Sequence, residues 1–171
     1  MDPVLKALGA LRATRWFTGE PVADEALHAI LEAARWTGSA RNRQPWRFVV
    51  VRDRALLTGL SRLGAYAGHL AQAPLAVLLA VNAQDSRDDA EFDAGRAAQT
   101  IMLAAHAFGL GSCPASFFPA DNVERAGHLV GVGAPWRIRT GLSVGHPAPA
   151  PLGRSAIPTG RLALDELVID R

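Results

Sequence analysis

The chain has 171 residues, 49% of them apolar, a length that suits one well-buried core and is short for two, so a single domain over residues 1–171 is expected. A formal net charge of +2 argues against a non-specific polyanion-binding surface, even though the pI is 9.3. The lone cysteine, Cys113, excludes an internal disulfide framework and a cysteine-built zinc site, in keeping with a reducing cytoplasm.

Behind Asp2 and Pro3, the residues Val4, Leu5, Leu8 and Leu11 fall at helical spacing, which predicts a first helix ending near Arg12. Leu27, Ile30, Leu31 and Ala34 repeat at i, i+3, i+4 and i+7, with Asp24 and Glu25 suited to the N-terminal dipole of a second helix. A polar loop follows from Thr37 to Pro45, and residues 46–51, WRFVVV, read as a strand. Leu56, Leu57, Leu60 and Leu63 predict a third helix, residues 64–72 a broken helical stretch, and residues 75–81 a second strand. Both strands are expected to be buried on two faces. An acidic loop with Asp85, Asp88 and Asp89 precedes an Ala-rich helix over residues 91–108, capped by Gly109. Residues 111–116 suit a short strand, Asp121 and Glu124 a capping box for another helix, and residues 137–145 a third alternating strand. A stiff extended run, HPAPAP, begins at His146, and the terminal segment 161–171 carries Leu162, Leu164, Leu167 and Val168 on a side that needs a surface to cover, which a partner subunit would supply. This irregular order of helices and strands predicts an α+β sandwich, a sheet covered by helices.

Two segments carry candidate chemistry. Arg12, Ala13, Thr14 and Arg15 place two guanidinium forks and a hydroxyl at a helix end, where they suit a phosphate monoester or, more plainly, solvate the helix terminus. In the loop from Gly38 to Trp46, Asn42 and Gln44 offer amides that both donate and accept, as a flavin's pyrimidine edge requires; an ordinary polar turn is the alternative.

Taken in order, RATRWF, EPVADEALHAILEAARW, SARNRQPWRFVVVRD, FDAGRAAQTIMLAAHAFGLGSC and LSVGHPAP resemble the nitroreductase family across nearly the whole chain. The passage through Asn42, Gln44, Pro45 and Trp46 into a strand is the most specific of these pieces. The resemblance implies a three-layer sandwich with a central, mostly antiparallel sheet, dimeric with an exchanged C-terminal tail, binding one FMN in each of two interfacial clefts. It implies that Arg12 and Arg15, with Thr14 between them, hold the flavin phosphate or its N1 and O2 edge. Ser39, Arg41, Asn42 and Gln44 line the cofactor by the same resemblance, some of them from the other subunit. Pro114, Ala115 and Ser116 pass beside the isoalloxazine, where backbone N–H groups approach N5. Arg161 is a third phosphate candidate, with Arg154 behind it. Leu11 stands where the family's first basic residue is usual and Gly38 where a proline is common, and the chain is short around residues 60–92 and after the proline-rich run.

The activity so implied is electron transfer from NADH or NADPH, through FMN, to nitroaromatic, quinone or similar acceptors by a ping-pong mechanism, with no catalytic side chain required. A non-catalytic FMN-binding or storage protein is the alternative, as is a related flavoenzyme that dehalogenates or fragments flavin. The glycine pairs at Gly109 and Gly131 lack a dinucleotide fingerprint, the five histidines lack metal-ligand spacing, and the arginines of the 41–47 loop have no stacking aromatics between them. No metal and no nucleic acid are therefore expected. Without a membrane-length apolar run or a leader-like start, a soluble cytoplasmic protein is expected.

Overall fold

The structure, a computed structural model, describes residues 2–82, 84, 87–151 and 160–171. Its frame is a four-stranded, wholly antiparallel sheet in the order β1-β2-β4-β3, built from β1 (Trp46–Val51), β2 (Leu75–Asn82), β3 (Gly111–Ser116) and β4 (Trp136–Gly145). The period-two alternation of a strand sends neighbouring side chains to opposite faces, and each face is covered by helices. On one face Leu75, Val77, Leu79, Leu142 and Val144 pack with α2 (Asp24–Arg35) and α4 (Arg87–Ala107). On the other, Ala76, Leu78, Ala80, Ala115 and Ile138 pack with α3 (Arg54–Leu60), a 3-10 turn at Gly68–Ala71 and α5 (Ala120–Leu129). The result is the three-layer α+β sandwich expected from the sequence.

Helix α4 owes its central place to its composition: Ala97, Ala98, Ile101 and Ala105 are buried, and small side chains let its backbone lie close to the sheet. It starts at Arg87, a turn earlier than its apolar pattern indicates, with Asp88 and Asp89 in the first turn facing the helix dipole. Helix α1 (Pro3–Ala10) is capped by the Asp2 carboxylate, which accepts from the Val4 N–H at 2.9 Å, yet it buries none of its residues. Val4, Leu5 and Leu8 are exposed, as are Leu162, Leu164, Leu167 and Ile169 in and around the short α6 (Leu164–Leu167).

Three expectations are corrected. β1 is an edge strand, with Arg47 and Val50 exposed, so only β2 is buried on both faces along its length. The capping box of Asp121 and Glu124 does not form: the N-cap of α5 is Pro119, two residues before Asp121, and it has no side chain to accept a bond. Nor does β4 simply alternate, because a bulge leaves Arg139 unpaired with β2, and from Gly141 onward the strand is interior to the sheet and covered on both faces. Asp85 lies outside the described residues. No helix among the described residues is long and apolar enough to cross a membrane.

Candidate functional site

The predicted site residues fall into two groups on opposite edges of the sheet. The first is built on β3. After α1 the chain turns and runs parallel to the outer side of this edge strand, bridging Ala13 to Ser112, with the Thr14 N–H donating to the Ser112 carbonyl at 2.8 Å. The approach needs Gly111, since a Cβ there would lie 2.5 Å from Thr14 Cγ2. Gly111→Ala is accordingly expected to push residues 13–15 off the strand and cost about 1–3 kcal/mol, read as a lower urea midpoint at unchanged slope.

Antiparallel pairing decides which backbone groups remain on that edge. The Phe117 N–H donates inward to the Arg139 carbonyl, and Cys113 and Ala115 lie in the same phase opposite Ser143 and Gly141. Ser112, Pro114 and Ser116 therefore point their backbone groups outward. Pro114 has no N–H, and its outward nitrogen is what an edge strand tolerates. The expectation that several N–H groups in 114–116 face a ligand is thus corrected: Ala115 is tied into the sheet, and Ser116 alone offers an N–H.

The two arginines differ. Arg12 folds back on its own helix end, its Nη1 donating to the carbonyls of Gly9 at 2.7 Å and Leu11 at 2.8 Å, the plainer role foreseen for it. Arg15 is half-buried and makes no hydrogen bond or ion pair among the described residues, which leaves its guanidinium available to an anion.

Beneath this edge sits His69, one of the five histidines whose spacing suits no metal. It is buried, its Nδ1 lies 2.8 Å from Ser143 Oγ, and Ser143 donates to the Cys113 carbonyl at 3.4 Å. Nδ1 and the Ser143 hydroxyl share a hydrogen bond whose direction depends on the imidazole tautomer, and Nε2 has no hydrogen-bond partner among the described residues. Burial and the nearby Arg15 charge hold the ring neutral, lowering its pKa to about 4. Burial also pushes the Cys113 thiol up, against the pull of Arg15, so it stays protonated and packs as a small apolar side chain.

The second group lies before β1, on the far edge. Arg41, Asn42 and Gln44 all have φ between 51° and 53°, a left-handed conformation that non-glycine residues seldom adopt and that concentrates at functional sites. Ser39 Oγ accepts from the Gln44 N–H at 2.9 Å, and Gln44 Nε2 donates to Asn42 Oδ1 at 3.2 Å, so the two amides are held as a pair. Three strand spacings, roughly 14 Å, separate the β1 and β3 edges. Arg161 joins neither group: it is exposed, and its Nη1 donates to its own neighbour's carbonyl at Gly160. Arg154 lies outside the described residues.

Among the described residues no group of three or more histidine, cysteine or acidic side chains is placed to hold a metal. Among the described residues, fold and site together define a helix-flanked antiparallel sheet that presents hydrogen-bond donors, paired amides and an arginine without a partner, with no exposed nucleophile beside a base.

Comparison with known proteins agrees with this class. The nitroreductase family pattern matches residues 10–68 and 60–146, and the chain belongs to the nitroreductase family. It is 29% identical to an NADH dehydrogenase of Thermus thermophilus, covering 99% of this chain and 98% of that protein. A crystal structure of a provisionally named nitroreductase from Desulfovibrio desulfuricans in complex with FMN is 30% identical, with a TM-score of 0.82 over 100% of this chain and 98% of that one. An FMN-dependent nitroreductase of Clostridium difficile superposes with a TM-score of 0.80 at 26% identity, covering 89% and 92% of the two chains.

Proposed function

We propose that this chain is an FMN-dependent oxidoreductase that moves electrons from NADH or NADPH to quinone, nitroaromatic or similar acceptors. The observation that carries this reading is the β3 edge, which carries an outward N–H at Ser116 and, beside Ser112, Thr14 followed by an Arg15 without a partner among the described residues. An anion-bearing planar cofactor needs such a set: a cation for its phosphate or its N1 and O2 edge, and a fixed donor for N5. The chemistry that FMN supplies when bound is acceptance of a hydride from the nicotinamide and release of electrons to the second substrate. The protein's part is to bind, orient and polarise. Because both substrates would use the same pocket in turn, ping-pong kinetics are expected.

Asn42 and Gln44 complete the site from a second copy of the chain in this reading. They stand on the edge opposite Arg15 and Ser116, and the exposed apolar residues of α1 and of the C-terminal segment give a partner something to cover. Arg161 is placed with that segment and would reach a phosphate only in the assembled dimer.

The purified protein is expected to be yellow, to release about one FMN per chain on heating, and to scatter light as a dimer. Steady-state NAD(P)H oxidation with a quinone should follow parallel-line kinetics. A colourless chain that also ignores added FMN would overturn the proposal, and a yellow chain with only background oxidation would make it a flavin-storage protein.

A further inference from the structure

The strained 38–44 loop is secured from one face of α4. Along that helix Asp89, Asp93, Arg96 and Thr100 recur at spacings of four, three and four, which puts them in one stripe of an otherwise Ala-rich element. Each meets the loop in reverse order. Asp89 lies 3.9 Å from Arg43 Nη1, Asp93 Oδ2 accepts from the Ala40 N–H at 2.7 Å, Arg96 Nη1 donates to the Gly38 carbonyl at 2.8 Å, and Thr100 Oγ1 meets Thr37 Oγ1 at 3.1 Å. The two central residues also pair with each other, Arg96 Nη1 to Asp93 Oδ1 at 3.2 Å. The Asp93 side chain is 4% exposed, so its charge is buried against these two donors.

We infer that Asp93 and Arg96 are positioning residues for the flavin site, a clamp on the 38–44 loop that keeps Arg41, Asn42 and Gln44 in their left-handed conformation and so presents the two amides. The inference rests on the proposed function for its ligand but on the structure for the clamp itself. A buried carboxylate with one backbone and one guanidinium partner costs desolvation that an apolar residue would avoid, so its return is the conformation it enforces. Gly38 belongs to the device: a Cβ there would lie 3.2 Å from Arg96 Nη2, crowding the guanidinium that holds its carbonyl.

Two measurements on the full-length chain test it. In the flavin-free protein, Asp93→Ala should speed hydrogen exchange at the Ala40 and Gln44 amides by about tenfold or more, with the β2 and β4 amides unchanged. Unchanged protection at Ala40 and Gln44 would overturn the clamp whatever FMN does. In FMN titrations followed by flavin fluorescence, Asp93→Ala should weaken binding about tenfold, Asp93→Asn should recover part of the loss by restoring an acceptor for Ala40, and Asp93→Ala with Asn42→Ala should be clearly less than additive. Additive losses would reduce Asp93 to a structural carboxylate. Should Asp93→Ala fail to fold, Arg96→Met, which removes the bonds to Gly38 and Asp93 and the guanidinium's contact with the exposed Phe92 ring, carries the same cycle. Absence of FMN binding by the wild-type chain would sink the functional reading instead, and the exchange experiment would still decide the clamp.

Discussion

Ser116→Pro is expected to lower turnover by about 10²–10³-fold in a chain that remains folded. The Ser116 N–H is the one donor that β3 turns outward between Pro114 and the end of the strand, and proline removes that donor alone. The strand's ladder to β4 is untouched, because the inward bonds belong to Cys113, Ala115 and Phe117, and the extended backbone at Ala115 is what a following proline prefers. A fixed donor aimed at a developing charge is worth roughly 3–4 kcal/mol when lost, which is the size of the expected rate change. Ser116→Ala is the control, since it discards the hydroxyl and keeps the N–H, and it should retain most activity. The comparison is read from single-turnover reduction by NADH with FMN content measured in parallel. Equal rates in Ser116→Pro and wild type would remove Ser116 from the site.

Below neutral pH the protein is expected to lose stability through His69. The native chain keeps this imidazole neutral down to about pH 4, whereas the unfolded chain protonates it near the ordinary value of 6.5. Between those values the unfolded state binds a proton that the native state refuses, so stability falls as pH falls, and above about pH 7 the contribution is constant. The shift corresponds to about 3 kcal/mol lost across the window, a large share of a small domain's stability. His69→Gln can still donate to Ser143 and does not titrate, so its unfolding free energy should stay level between pH 7 and 4 apart from carboxylate effects shared with wild type. Urea melts at half-unit pH intervals would show the difference, and parallel slopes for the two proteins would mean that His69 is not buried neutral. Protonation would also set a second positive charge beside Arg15, the residue assigned to the anionic cofactor. Acid is therefore expected to loosen the β3 edge first.

The two edges differ in how far local residue pattern encodes them. The Ala-rich helix, the buried run of residues 75–81 and the amphipathic second helix are local patterns, in which side-chain periodicity is set by the backbone's own geometry, and all three appear in the structure. The polar loop with Asn42 and Gln44 was legible because amides before a rigid Pro-Trp pair are an unusual composition. Its left-handed backbone was not, since Arg41, Asn42 and Gln44 take that conformation only while α4 holds the loop. Asp93 and Arg96 were invisible for the same reason: on a helix read alone they are ordinary solvent-facing charges, and their partners lie 53 and 58 residues away. His69 offered no spacing to any ligand and gained significance only when β4 brought Ser143 beneath it.

By itself the sequence determined the element types, the α+β class, the family resemblance and the segments rich in phosphate- and flavin-suited groups, all of which follow from side-chain pattern over a few residues. Only the tertiary structure decided which of those groups are free to act. Strand phase left Ser116 as the outward donor of residues 114–116; helix-end geometry occupied Arg12, and Arg15 has no partner among the described residues; sheet order put the strand that Asn42 and Gln44 lead into on the opposite edge. Hydrogen-bond partners and edges are relations between distant parts of the chain, and no local pattern encodes them.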